Sequence, residues 1–262
     1  MCIRDRTKFS PVIKINSNYN EDFGRSPEPI PKNLSQLCSK VIETGSDIGF
    51  ATDPDGDRLS IVDNKGKALG EEITLALSIY YVLKYFKKFR NVPIVTNLST
   101  SLISEKIASK YNTRLIRSSV GEINVVNLMQ KECALIGGEG NGGVILAESH
   151  LGRDSLVGAA IILNLISNES LSINEQFNLL PKFYIEKSTV HLTNSSDVYI
   201  KKLKELYSND NINEKDGLKI IRDNEWVHIR KSNTEPILRI IAESKSIERS
   251  KQLIEEIKNE IK

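Results

Sequence analysis

Cysteine, histidine, tryptophan and long apolar runs are all scarce in this chain. The longest apolar stretches, around Leu75 to Leu83 and Leu156 to Ile166, fall well short of the roughly 20 residues that a membrane span needs. Neither is a transmembrane candidate, and no membrane partner is expected. Cys2, Cys38 and Cys133 are scattered singly, without the close pairs of a zinc site, and read as reduced thiols. His150, His191 and His228 are equally dispersed, so a structural role is expected for each. Net charge is also small: 36 basic side chains against 34 acidic ones leave +2, which gives no electrostatic case for a nucleic-acid partner. No basic-then-apolar leader opens the sequence, so the expected location is the cytoplasm.

What is present is an ordinary globular balance of 39% hydrophobic and 27% charged residues, over a length of 262 that allows two or three domains. The opening "MCIRDRT" has no periodicity joining it to the neighbouring residues. The next segment, "FSPVIKINSNYNEDFGRSPEPIPKNLSQL", offers one short strand and then Pro-rich turns, and reads as the middle of a domain. Helical spacing from Leu34 to Thr44 leads into the apolar strand "DIGFA", and "RLSIVD" reads as a second strand before the turn at Asn64 and Gly66.

From Gly70 to Phe89 a long helix is expected, with Glu71 and Glu72 in its first turn and Lys84, Lys87 and Lys88 at its far end. Strands at "VPIVTN", "TRLIRS" and "CALIGGE" then alternate with helices at "SLISEKIASKY", "EINVVNLMQKE" and "RDSLVGAAIILNLIS". That alternation predicts an α/β fold of mixed, mainly parallel sheets with flanking helices. Past about Asn168 the rhythm changes. A short helix or hinge at "SINEQFNLLPKF" is followed by "YIEKSTVHLT", "GLKIIRD", "EWVHIR" and "ILRIIAES" as strands, with helices at Ser196 to Tyr207 and Ile247 to Lys262. Consecutive strands imply antiparallel pairing, hence a separate C-terminal α+β domain.

Three stretches carry chemistry. In "DPDGDR", Asp53, Asp55 and Asp57 are spaced two apart, so an extended loop turns them to one side. Like charges a few ångströms apart repel, and a hard divalent cation with oxygen ligands removes that cost. An EF-hand loop would need Gly and Glu where Arg58 and Asn64 stand, and the aspartate-nucleophile phosphatase loop wants Thr or Val where Gly56 stands. A solvated acidic turn stays open. Arg58 beside the acids suits phosphate recognition, and together they suggest phosphoryl chemistry. In "GGEGNGGVIL", Glu139 and Asn141 offer hydrogen-bonding groups among glycines, which suits hydroxyl recognition or a bare turn between strands; no Gly-Lys-Ser/Thr follows, so it is not a Walker loop. In "RKSNTEPILRI", Arg230, Ser232, Asn233 and Thr234 could nest a phosphate or form a plain turn closed by Pro236.

In this order the three stretches resemble the α-D-phosphohexomutase family: phosphoglucomutase, phosphomannomutase and phosphoglucosamine mutase. "DPDGDR" is similar to its magnesium loop, which implies Asp53, Asp55 and Asp57 as Mg²⁺ ligands and Arg58 as a neighbour of a phosphoserine. "GEGNGG" is similar to its sugar loop, which implies Glu139 and Asn141 on sugar hydroxyls. "RKSNTEP" is similar to its phosphate loop, which implies Arg230, Ser232, Asn233 and Thr234 on the phosphate that is not transferred. "RSSVGEINVV", Arg117 to Val126, resembles a further segment of the third family domain. Some members carry a His and a Lys where Gly143 and Ser119 stand here, which takes the family's acid/base assignment away from those positions.

The resemblance divides the chain into residues 1–65, the C-terminal part of domain II with the metal loop; 66–178, the sugar-binding domain III; and 179–262, the phosphate-binding domain IV of TBP-like α+β type. It implies interconversion of hexose 1- and 6-phosphates through a phosphoserine and a bisphosphate intermediate. No Thr-Ala-Ser-His-Asn-Pro type loop occurs in the sequence, and Ser99, Ser101, Ser118 and Ser119 do not stand in one. The expectation is an N-terminally truncated mutase, inactive alone. The alternative is a non-catalytic sugar-phosphate binding or regulatory module, favoured if a native start lies at Met1. Oligomeric state and hexose identity are not readable.

Overall fold

Short apolar runs separated by turns and helices become three sheets in chain order in the computed structural model, which describes residues 12–17, 23–191, 195–232 and 236–261. The first is built around α1 (Ser35–Thr44), β1 (Ile48–Thr52) and β2 (Leu59–Asp63). β1 and β2 pair antiparallel, Ile48 opposite Asp63 and Thr52 opposite Leu59. Leu34, Val41, Ala51 and Val62 form their shared core. Residues 53–58, the acidic stretch, make the connection between the two strands.

The second unit is organised by α2 (Glu71–Tyr85). Ile73, Leu75, Leu77, Ile79 and Leu83 are all buried, as expected of a helix that is apolar on every face and therefore central. Around it run β3 (Ile94–Asn97), α3 (Leu102–Lys110), β4 (Leu115–Ser118), α4 (Glu122–Lys131), β5 (Ile136–Glu139), β6 (Gly143–Leu146) and α5 (Ser155–Asn168). The sheet order is β4-β3-β5-β6. Parallel pairing joins β3 to β4 and to β5, whereas β5 doubles straight back into β6 through residues 140–142 and pairs with it antiparallel. The mainly parallel arrangement expected from the helix–strand alternation is thus found in this sheet, and the first sheet is an antiparallel pair.

The third unit follows α6 (Ile173–Asn178). It comprises β7 (Tyr184–His191), α7 (Ser196–Leu206), β8 (Asn211–Asn213), β9 (Leu218–Arg222), β10 (Glu225–Lys231), β11 (Ile237–Ser244) and α8 (Ile247–Ile261). Five antiparallel strands lie in the order β7-β11-β10-β9-β8. α8 buries Leu253, Ile254, Ile257 and Ile261 along one stripe, each contributing roughly 2 kcal/mol of burial.

A polar seam fixes this unit to the second. Glu243 of β11 accepts hydrogen bonds from Ser101 Oγ, from the Leu102 backbone N–H at 2.8 Å and from Trp226 Nε1 at 2.6 Å. Its carboxylate therefore sits at the N-terminus of α3, where free N–H groups and the helix dipole favour negative charge. Lys219, only 2% exposed, donates to the Leu98 carbonyl, and Lys187 pairs with Glu71 at 2.8 Å.

Candidate functional site

The acidic loop begins where β1 runs out. Gly56 takes φ +72, a conformation that a Cβ disfavours, and its N–H donates to the Asp53 carbonyl at 3.2 Å, closing a turn. The turn faces Asp53 inward, 2% exposed. Asp53 accepts the backbone N–H groups of Asp57 and Arg58, each at 3.1 Å, and the Arg58 Nε–H. Asp55 is exposed and Asp57 half-buried, and one carboxylate oxygen from each of the three lies within 4.8 Å of the others.

Burial raises the Asp53 carboxyl, but the hydrogen bonds from Arg58, Asp57 and the Arg58 N–H outweigh it and hold the group down to about 2. Asp57 moves the other way, pushed up to about 6 by burial and by Asp53 and Asp55, against the pull of Arg153. Among the described residues, Asp57 Oδ1 is buried without a hydrogen-bond partner, 3.7 Å from Arg58 Nε. An orphaned carboxylate oxygen within a cluster of three acids is the situation that a hard divalent cation relieves, so the donor set fits Mg²⁺.

The glycine stretch is the hairpin between β5 and β6, so a turn between strands is indeed its local form. Gly142 adopts φ +93. Its carbonyl accepts from Leu59 N–H at 3.0 Å, and a Cβ there would stand 2.6 Å from the Leu59 carbonyl oxygen. The hairpin therefore lies directly against the strand that leaves the acidic loop. Glu139, 4% exposed, accepts from Asn97 Nδ2 at 2.7 Å and Gly121 N–H at 2.9 Å through Oε1, and from Arg153 at 2.9 Å through Oε2. Asn141 Oδ1 accepts from Gly143 N–H at 3.2 Å.

Of the terminal stretch, Arg230 and Ser232 lie at the β10–β11 turn, which the Ser232 N–H closes onto the Ile237 carbonyl at 3.0 Å. Asn233 and Thr234 lie outside the described residues. Among the described residues, Arg230 Nε is buried without a hydrogen-bond partner. Two residues earlier on β10, His228 is fully buried and bridges the units. It accepts from Ser99 Oγ at 2.8 Å through Nδ1, and its Nε2–H donates to the Asp216 carbonyl at 2.6 Å, the tautomer those partners require. Burial pushes the ring down to about 4. Ser119 Oγ donates to the Lys215 carbonyl at 3.1 Å, and Val120 N–H donates to Asp216 Oδ2 at 2.9 Å.

The structure thus brings the acidic and glycine stretches into contact, and joins the unit that carries the third to the loops after β3 and β4. Arg153, Glu122, Asn97 and His228 are absent from the sequence-based site. No spacing marks them, because their partners stand far along the chain: Asn97 and Glu139 are 42 residues apart, Ser99 and His228 are 129 apart.

Comparison with known proteins matches three family models of phosphoglucomutase/phosphomannomutase: alpha/beta/alpha domain II over residues 5–66, alpha/beta/alpha domain III over 70–183 and the C-terminal domain over 189–260. A phosphoglucomutase/phosphomannomutase of Thermococcus kodakarensis is 33% identical over 247 residues, 93% of this chain and 54% of that protein. A phosphoglucosamine/phosphogalactosamine mutase of Sulfurisphaera tokodaii is 35% identical over 254 residues, 94% of this chain and 55% of that protein. The chain spans about half the length of these curated relatives. Among solved structures, a phosphoglucomutase/phosphomannomutase family protein of Burkholderia thailandensis superposes with TM-score 0.77 at 23% identity, covering 89% of this chain and 50% of that one. An N-acetylphosphoglucosamine mutase of Aspergillus fumigatus, in complex with GlcNAc-6P and magnesium, gives TM-score 0.62 at 13% identity, covering 81% and 52%. These two show the fold.

Proposed function

Because the chain belongs to the phosphoglucomutase/phosphomannomutase family, we propose that it carries the metal-, sugar- and phosphate-binding parts of a phosphohexomutase that interconverts hexose 1- and 6-phosphates. The observation that carries this reading is the contact between the acidic loop and the glycine hairpin, made by the Leu59–Gly142 hydrogen bond and by Arg153, which pairs with both Asp57 and Glu139. The mutases among the relatives, and the sugar phosphate and magnesium held by the Aspergillus enzyme, support the substrate class and the cofactor. We read residues 1–65, 66–178 and 179–262 as the end of domain II, domain III and domain IV.

Asp53, Asp55 and Asp57 would hold Mg²⁺, which when bound supplies positive charge against the developing charge on phosphoryl oxygens. Asp53 keeps the loop closed through its backbone hydrogen bonds, so Asp55 and Asp57 Oδ1, which accepts no hydrogen bond among the described residues, would be offered to the cation. Arg58, a quarter exposed, would meet the phosphoryl group that a phosphoserine donates and later receives. Glu139 keeps acceptor capacity on Oε2 beside its Arg153 bond, and with Asn141 would orient sugar hydroxyls. Arg230 and Ser232, with Asn233 and Thr234, would hold the phosphate that is not transferred, and the Arg230 guanidinium would donate to it.

The phosphoryl carrier, a Ser-His-Asn-Pro type loop, does not occur in these 262 residues. The purified chain should therefore bind glucose 6-phosphate saturably in calorimetry, yet give no turnover of glucose 1-phosphate in a dehydrogenase-coupled assay. Mutase turnover at ordinary enzyme rates would show that the phosphoryl carrier is present after all, and a failure to bind glucose 6-phosphate would overturn the assignment of the binding parts.

A further inference from the structure

The geometry points to Arg153 as a positioning residue that ties the state of the acidic loop to that of the glycine hairpin: it holds Glu139 in place and pairs with the second oxygen of Asp57, beside the one offered to a divalent cation. The inference rests on the proposed sugar-phosphate and metal reading and deepens it.

Arg153 precedes the Asp154 N-cap of α5, and its side chain is 16% exposed. One terminal nitrogen pairs with Asp57 Oδ2 and the other donates to Glu139 Oε2 at 2.9 Å. Nε lies 3.4 Å from Glu122 Oε2, and the Arg153 backbone N–H donates to Glu122 Oε1 at 2.6 Å. One guanidinium therefore serves three carboxylates from three segments: the acidic loop, the hairpin and the first turn of α4. A lysine, a point charge, could not hold them in the same geometry.

Its path depends on Gly143. A Cβ on that residue would stand 2.2 Å from Arg153 Cδ and 2.9 Å from Cγ, so the arginine stem crosses where a side chain at 143 would begin. The glycine is what admits the bridge.

Charge gives the bridge its consequence. Among the described residues, Asp53, Asp55, Asp57, Glu122 and Glu139 face only Arg58 and Arg153 as pairing cations. The Asp57 oxygen that Arg153 occupies is then unavailable to a metal, while the other accepts no hydrogen bond among the described residues and lies 3.7 Å from Arg58 Nε. A divalent cation on Asp57 Oδ1 and the guanidinium on Oδ2 draw on one carboxylate, so each weakens the hold of the other. Removing the guanidinium has opposite effects on the two ligands. The acidic loop loses its resident competitor and becomes more negative, so metal binds more tightly. The hairpin keeps a buried Glu139 that has lost its cation and is held through Oε1 alone, by Asn97 and Gly121, so its charge repels the phosphate-bearing sugar and sugar phosphate binds more weakly.

The test is calorimetry on the full chain with MgCl₂ and glucose 6-phosphate as separate probes, thermal melts confirming that each variant is folded. Arg153→Met should tighten Mg²⁺ binding by about 3- to 10-fold and weaken glucose 6-phosphate binding by about 10-fold or more. Gly143→Ala should push the stem aside and reproduce both changes, and the double variant should be no worse than either single one, the non-additivity of a shared bridge. In the wild-type chain, Mg²⁺ should shift the NMR resonance of the Arg153 Nε–H. A purely structural role would weaken both ligands together; that result, unchanged affinities in Arg153→Met, or an Arg153 resonance untouched by saturating Mg²⁺ overturns the inference. If the wild-type chain binds neither probe, the functional reading fails first and the inference with it.

Discussion

Asp53 and Asp57 carry the same side chain on one loop, and their neighbours drive their titrations apart. Asp53 accepts two backbone N–H groups and Arg58, whereas Asp57, buried beside two other acids and with one oxygen that accepts no hydrogen bond among the described residues, is held up to about 6. A metal that needs the ionised form competes with that proton. Mg²⁺ affinity of the chain should therefore fall about tenfold per unit as the pH drops below about 6 and level off above it, with the steep part lost in Asp57→Asn. Calorimetry across that range checks it, and a flat wild-type profile would contradict it. At this scale the sequence was informative where chemistry repeats locally: three aspartates two apart announce a cluster. It was silent on Arg153, whose partners Glu122, Glu139 and Asp57 share no spacing with it, and on the inward turn of Asp53, which depends on where Arg58 packs.

Elements were legible for the same reason. The buried α2, the amphipathic α8 and the strand–helix alternation follow from period and composition, and the hairpin glycines marked a turn. β8, three residues long, is below what a pattern can signal, and strand order depends on contacts between distant segments. The seam between β10 and the loop after β3 was equally hidden. His228 stays neutral there, its ring lowered to about 4 from an ordinary 6.5. Between those values the unfolded chain takes up a proton that the folded chain refuses, so stability falls as pH falls from about 6.5 towards 4, by about 3 kcal/mol. Urea denaturation of wild type and His228→Gln should show this: a less stable variant with a shallower acid slope. Equal slopes would remove His228 as the cause.

For the whole molecule, three sheets follow one another along the chain, and the family relation covers nearly all of the chain while the chain covers about half of the relatives. Fold and family were readable because three motifs kept their order; the clasp between them was not, since it is made of single residues from separate segments. The central claim is that the acidic loop and the glycine hairpin form one site for a divalent cation and a hexose phosphate. Calorimetry of Mg²⁺ binding to wild type and to the Asp55→Asn, Asp57→Asn double variant, at a pH above the Asp57 titration, tests it most directly. Binding should be at least about tenfold weaker in the double variant; equal affinity in the two proteins would contradict a shared site.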